Sequence, residues 1–453
     1  MGQTMNAFFK GLALGGLLIF THSANAQNTL YRPIPPGFDF PAGYDFSSGK
    51  PPGPADFDNG EKRLLQFLQQ NNFGELRRHG WEVFAGLTQQ APEGHANWES
   101  WFIAEQVFAG PTPAPLSDQP RSFKRSLEPP RKLGIGLGGP VALAPGQSFA
   151  FSVLFNQPAR DHIWTERLFE RATVVNLLSN LNQTNPPIEK RTIKDFPRDS
   201  IALKVSWRHI KRSGLTAIPV WDNDLPNPTA PVLPALPEIT WKRCVAVDPT
   251  GAKPEGEVVL AQCGFEQRPS SVVHLNRFYN FQVDNQNVAV LKSVIGDEVN
   301  VGDYLVLVAF HYTTKEIPEW IWGTFWWHDK PTNGEFASDR SPKVTGVWKN
   351  YLMDVGYSRD VPAGGDGKAN DIMNPYIEAR FPNGVRSNCM TCHARAVFPR
   401  LPPEPNGPGQ DICGALPVTR GSSDLPSSDP RLSTRVRLDF LWSVLLRPAE
   451  TCN

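Results

Sequence analysis

Tyr304-Leu305-Val306-Leu307-Val308-Ala309-Phe310-His311-Tyr312 is an uninterrupted run without glycine or proline. Side chains of an extended strand alternate between two faces, so Tyr304, Val306, Val308, Phe310 and Tyr312 share one face. Leu305, Leu307, Ala309 and His311 share the other. Branched and aromatic residues in this pattern predict a β-strand. Shorter runs around it read the same way: Ile201 to Trp207, Trp241 to Val247, Val258 to Phe265 and Phe278 to Val283. Together they predict a β-rich central body. No repeat of fixed period appears.

Towards the N-terminus the period changes. From Asp56, Leu64, Leu65, Phe67 and Leu68 fit one apolar helical stripe. Further helices are expected over 75–87, over 98–108 and from Ile163 to Leu181. Residues 27–55 read as an extended arm, and two proline-rich connectors cover 110–130 and 225–237. Beyond the central body comes an aromatic block: Trp320, Trp322, Phe325, Trp326, Trp327 and His328. It fits a packed core segment or the wall of an apolar pocket. The last 60 residues are mostly loop, apart from a helix expected over 436–446. The fold class expected is α+β, with a helical N-terminal part, a β-rich central body and a loop-rich C-terminal segment.

Composition narrows the function classes. Proline and glycine make up about 18% of the 453 residues, short of the roughly 25–30% of low-complexity chains. The 45 basic and 45 acidic residues cancel and form no basic stripe, so no nucleic-acid partner is expected. Lys10, the apolar stretch from Gly11 to Phe20 and Ala24-Asn25-Ala26 form the three parts of a secretory signal peptide, cleaved after Ala26. No later segment is long and apolar enough to span a bilayer. The regions expected are therefore a signal peptide (1–26), an N-terminal arm and helical region (27–135), a mixed, β-rich central region (136–315) and a C-terminal region (316–453). The location expected is periplasmic or secreted.

Export makes cysteine pairing the default. Of six cysteines, two lie in Cys389-Met390-Thr391-Cys392-His393, a C-x-x-C-H motif. This is the attachment signature of a c-type haem, and composition alone yields it roughly 0.0016 times in such a chain. On a helix the two thiols share a face, so both reach the vinyl groups of one porphyrin edge, and His393 supplies the proximal iron ligand. Region 316–453 is then the haem c-binding region, with one covalent haem c. A thioredoxin-like pair lacks its βαβ setting here. A zinc site would need ligands that Cys413 and Cys452 do not supply at a common spacing. A bridge within the motif is the third alternative. Cys244 and Cys263 flank a Pro/Gly turn region and suit a disulfide hairpin. Cys413 and Cys452 remain as a second pair, and other pairings stay open.

No histidine or methionine follows His393. A sixth ligand of either type must come from upstream or from another chain, or be absent. The upstream candidates are Met373, Met353, His328 and His311. Arg386 and Arg395 flank the motif and suit haem propionates. Asp366, Asn370 and Asp371 could offer oxygens to calcium, at a spacing unlike an EF-hand.

Cys389 to His393 resembles the c-type cytochromes. Trp320 to His328 followed by Asn388 to His393 looks like a group of large secreted bacterial cytochrome c-domain proteins without an assigned reaction. The resemblance implies covalent haem, a periplasmic location and electron transfer with a redox partner protein. The late motif and the missing downstream methionine depart from small cytochromes. Three functions are in play: an electron carrier, a haem peroxidase or oxidase acting on a small or aromatic substrate, and a non-haem binding module.

Overall fold

The run from Tyr304 extends to Thr314 and lies inside a seven-stranded antiparallel sheet. The computed structural model describes residues 31–92, 94–111, 149–222, 233–332, 334–358, 361–363, 369–381, 384–401 and 425–446. The expected signal peptide, Cys413 and Cys452 lie outside them. The strands are β1 (Phe102–Ile103), β2 (Phe149–Phe155), β3 (Ile201–Ile210), β4 (Thr216–Val220), β5 (Arg243–Asp248), β6 (Val258–Cys263) and β7 (Glu266–His274). They continue with β8 (Asn280–Gln282), β9 (Tyr304–Thr314), β10 (Ile321–Trp327), β11 (Tyr351–Gly356), β12 (Val397–Phe398) and β13 (Val436–Arg437). The helices are α1 (Pro54–Gln69), α2 (Phe73–Thr88), α3 (Ala104–Phe108), α4 (Gln157–Thr165), α5 (Arg171–Thr184), α6 (Val288–Val294), α7 (Cys389–His393) and α8 (Trp442–Leu446). The fold class is α+β, as the sequence predicts.

The large sheet runs β1-β2-β3-β9-β10-β11, with β8 also paired to β9. It takes strands from all three expected regions, so the limits at 135 and 315 do not separate independent bodies. A smaller sheet runs β4-β5-β7-β6, and β12 pairs with β13. Antiparallel partners point to the same side of a sheet. One side of the large sheet therefore carries Phe310, Tyr312, Phe325 and Met353, and the other carries Lys204, His311, Thr324 and Asp354.

Helix α2 covers the first side. Asn72 caps its start by accepting from the Glu75 amide. The Phe84 ring stacks on Phe325 at 3.9 Å and meets Phe310 edge-on at 5.4 Å. The Tyr312 hydroxyl donates to the Gly80 carbonyl at 2.9 Å. The Tyr312 ring also lies where a Cβ on Gly323 would sit, 2.5 Å away, so only glycine fits there. The second side is covered by a separate apolar cluster from α4, α5, α8 and the C-terminal segment, including Trp322, Met390, Leu438 and Leu441.

Three expected helices and the expected hairpin are corrected. Residues 98–108 do not form one helix: a 3₁₀ turn, β1 and α3 share the span, because β1 pairs with β2. The helix expected from Ile163 to Leu181 is broken between α4 and α5, where Arg167 adopts a positive φ of 53°. The helix expected over 436–446 becomes β13 and α8, with Asp439 (φ 46°) and Phe440 (φ 65°) between them. Cys244 and Cys263 are bridged, but not across a simple hairpin. β7 lies between β5 and β6, in parallel with the former. Among the described residues no helix is long and apolar enough to cross a membrane.

Candidate functional site

The C-x-x-C-H motif forms α7, a single turn that faces the second side of the large sheet. A 3₁₀ turn at Gly384–Arg386 precedes it, and the Asn388 side chain accepts from the Met390 amide at 3.0 Å to start it. Met390 points into the apolar cluster and anchors the turn. Cys389 and Cys392 are not bridged, and both keep part of their surface uncovered. Burial, reinforced by the Glu378 carboxylate, pushes the Cys392 thiol up to about 12 and Cys389 well above its usual value. A thioredoxin-type pair requires the opposite shift. These are protonated thiols held unbridged on one face of a turn.

His393 is fixed from two directions. Its Nδ1 lies 2.7 Å from the Phe440 carbonyl oxygen. A carbonyl only accepts, so the proton sits on Nδ1 and the lone pair on Nε2 is free to bind a metal. Burial holds the ring well below its usual range, at about 4, with Lys204 nearby pushing the same way, so the imidazole is neutral. Trp322 packs against the ring at 4.1 Å, and the Trp442 indole donates to the Cys392 carbonyl at 3.0 Å. The Phe440 carbonyl is aimed by its neighbour. Asp439 forms a buried pair with Lys315 at 2.5 Å and accepts from the Phe196 amide at 3.1 Å.

Opposite α7 the sheet carries a polar row. Lys204, His311, Thr324 and Asp354 are successive cross-strand partners on β3, β9, β10 and β11. Asn374 is buried and donates to the Thr324 hydroxyl and the Phe325 carbonyl, which lays the segment carrying Glu378 over the row. His311 Nε2 lies 3.6 Å from the Glu378 carboxylate, beyond hydrogen-bond distance. Burial pushes the Glu378 carboxyl up to about 7, opposed by Lys204. Lys204, His311, Glu378 and His393 are all half-buried, and His311 and Glu378 keep 20% and 19% of their side-chain surface uncovered.

Of the sequence candidates for a sixth ligand, His311 stands in the polar row itself, on the side of the sheet that carries Trp322. Met353 pairs with Phe325 on the α2 side and is fully buried in that core. His328 sits six residues beyond Trp322, about 20 Å along the strand, between Asp222 at 3.5 Å and Asp329 at 3.4 Å. Met373 is half-buried between Ile372, whose carbonyl lies 3.9 Å from the Cys389 sulfur, and Asn374, which donates to Thr324 of the polar row. Arg386 and Arg395 are both buried beside the motif. Asp366 lies outside the described residues, and among these no cluster of three or more His, Cys, Asp or Glu could hold a metal ion. The sequence reading missed Lys204, Glu378, Asp439 and Phe440. Only Lys204 left a signal, as a lysine amid the apolar run Ile201 to Trp207.

Comparisons with known protein families, with curated proteins and with solved structures found no match.

Proposed function

We propose that this chain is an exported single-haem c-type protein that transfers electrons, with haem c attached at Cys389 and Cys392 and with His393 as proximal ligand. The observation that carries this is the Nδ1–H of His393 donating to the Phe440 carbonyl beside two unbridged, protonated thiols. Second-sphere bonds of this kind orient a ligating histidine and raise its basicity. Haem, when bound, supplies the one-electron chemistry of its iron. The chain's own residues do the rest. The thiols anchor the group, Trp322 and the neighbouring apolar cluster exclude water, and Arg386 and Arg395 lie buried beside the motif. The C-x-x-C-H motif and the signal-peptide pattern support a periplasmic site of maturation, with a redox protein as partner.

A second reading, a haem enzyme acting on a small substrate, draws support from the polar row facing α7. An electron carrier needs no half-buried Lys, Glu and His gathered beside its motif.

The test is an optical spectrum of the full chain matured in a periplasm with haem-attachment machinery. Reduced c-type bands are expected in the wild type and severely reduced yield or altered bands in His393→Ala. A folded, colourless wild-type protein overturns the reading.

A further inference from the structure

Strand β6 ends the sheet β4-β5-β7-β6 and runs Val258-Val259-Leu260-Ala261-Gln262-Cys263, with no charge and no proline. An edge of this kind presents a row of amides and carbonyls to which another strand can pair, and proteins usually blunt it. This chain blunts its others. At the far side of the same sheet, β4 carries Pro219, whose carbonyl accepts from the Tyr376 hydroxyl at 2.8 Å. On β11, the long edge of the large sheet, the Tyr351 and Met353 carbonyls accept from Arg340 and Arg77. Strands β1, β12 and β13 have two residues each, and β8 has three. Among the described residues no side chain bonds to the outer row of β6.

The hairpin fixes what that row contains. β6 pairs with β7 in one register from Val258 to Cys263, across the two-residue turn Gly264-Phe265. The Val272 amide donates to the Glu257 carbonyl at 2.8 Å, so residue 257 turns its carbonyl to β7. Backbone groups alternate along an antiparallel strand, so those of Val259, Ala261 and Cys263 also turn to β7. Those of Val258, Leu260 and Gln262 point outward, and their side chains share one face. Val258 and Leu260 are 66% and 68% exposed, and Phe265 at the turn is 79% exposed. These are the most exposed large apolar side chains among the described residues. The Cys263–Cys244 disulfide ties the strand to β5, so the edge is held in place.

We propose that β6 pairs with β6 of a second copy of this chain, antiparallel about a two-fold axis at Leu260. Leu260 then meets its own copy and Val258 meets Gln262, each pair exchanging both backbone hydrogen bonds, and the two small sheets become one. The strand is uncharged, so it meets itself without repulsion. Each of its ends carries one charge of each sign, Lys253 with Glu257 at 2.8 Å and Arg268 with Glu266 at 3.1 Å. The antiparallel fold of the pair sets the first end beside the second. One strand per copy is a small contact beside the roughly 1,600 Å² of a standard interface, so the dimer is expected to be in exchange with monomer. The proposal does not depend on haem.

The test is sedimentation velocity of the full chain over a range of about 1–100 μM. A dimer fraction that grows with concentration is expected. Leu260→Lys sets two like charges against each other and is expected to weaken the dimer about tenfold or more. Val175→Lys, at a side chain 39% exposed on α5, is expected to leave it unchanged. Both variants are expected to keep the wild-type melting temperature, because both side chains already face water. The register is read by cross-linking. Leu260→Cys is expected to give a covalent dimer joined at residue 260, whereas in Val258→Cys the two thiols lie about 13 Å apart along the strands and stay unjoined. A wild type that is monomeric throughout, or a Leu260→Lys variant that dimerises equally well, overturns the proposal. So does Val258→Cys joining as readily as Leu260→Cys.

Discussion

Asp439→Ala strikes the device that aims the Phe440 carbonyl at His393. In the native protein the Lys315 and Asp439 side chains are 1% and 3% exposed and pair at 2.5 Å. Removing one member of such a pair strands the other, at about 3–5 kcal/mol. The lower end applies here. Lys315 keeps the Pro318 carbonyl at 2.8 Å and lies 5.4 Å from the Trp320 ring, with Asp195 4.0 Å away at the surface. The expected loss is therefore about 3 kcal/mol, measured by urea unfolding of the full chain as a lower midpoint at unchanged slope. Lys315→Met with Asp439→Leu removes both charges and is expected to recover most of that loss. A second effect is local. Phe440 holds φ at 65°, a left-handed conformation that a bulky residue keeps only under constraint. Without Asp439 the segment relaxes, His393 loses its acceptor, and the reduction potential of the loaded protein rises as the imidazole becomes a poorer donor. A loss under about 1 kcal/mol, or a double variant no more stable than the single one, refutes the reasoning.

The buried His79 ring lies between Asp39 at 3.0 Å and Glu316 at 3.2 Å. Burial opposes its charge, but the two carboxylates outweigh it and raise the ring to about 10. Its stabilising contribution is thus complete below the unfolded value of about 6.5 and is lost as pH rises towards 10, at up to about 1.4 kcal/mol per unit. Asp39 is held well below the usual carboxylate range by the His79 hydrogen bond and charge, despite its burial, so its contribution is lost only in strong acid. Unfolding measured from pH 6 to 10 is expected to show this slope in the wild type and a flatter one in His79→Gln; equal slopes contradict it. Phe84→Ala, which empties the ring stack on Phe325, is expected to cost about 3–5 kcal/mol in the same assay. Opening the Cys244–Cys263 bridge, whose ends are 19 residues apart, by a double alanine change is expected to cost about 3 kcal/mol. A cost near zero for either change contradicts the packing or the loop argument.

Much of the fold was legible where one local signal governs one element. The run from Tyr304 to Tyr312 is β9 and the stripe around Leu64 is α1. A bulge at Val308 exchanges the two faces of β9, however, so Leu305 and Leu307 share the side of Phe310 and Tyr312, while Tyr304 and Val306 share that of His311. Elements set by distant partners were not legible. Phe102 and Ile103 leave the helical pattern because β2 offers them a ladder. Arg167, Asp439 and Phe440 break helices through left-handed conformations that no glycine announces. The candidate site divides the same way. Cys389, Cys392 and His393 are contiguous and carry their own spacing rule. Lys204, His311, Thr324 and Asp354 come from four strands and meet only through register. A backbone carbonyl such as that of Phe440 has no residue-type signature at all.

The most direct test of the central claim is the intact mass of the full chain purified from a periplasm equipped for haem attachment. One haem added to the processed chain is expected, kept through denaturation and found on the peptide holding Cys389 and Cys392. It is expected to be absent from Cys389→Ser with Cys392→Ser. A mass equal to the bare polypeptide, with both thiols alkylated once the chain is unfolded, contradicts it.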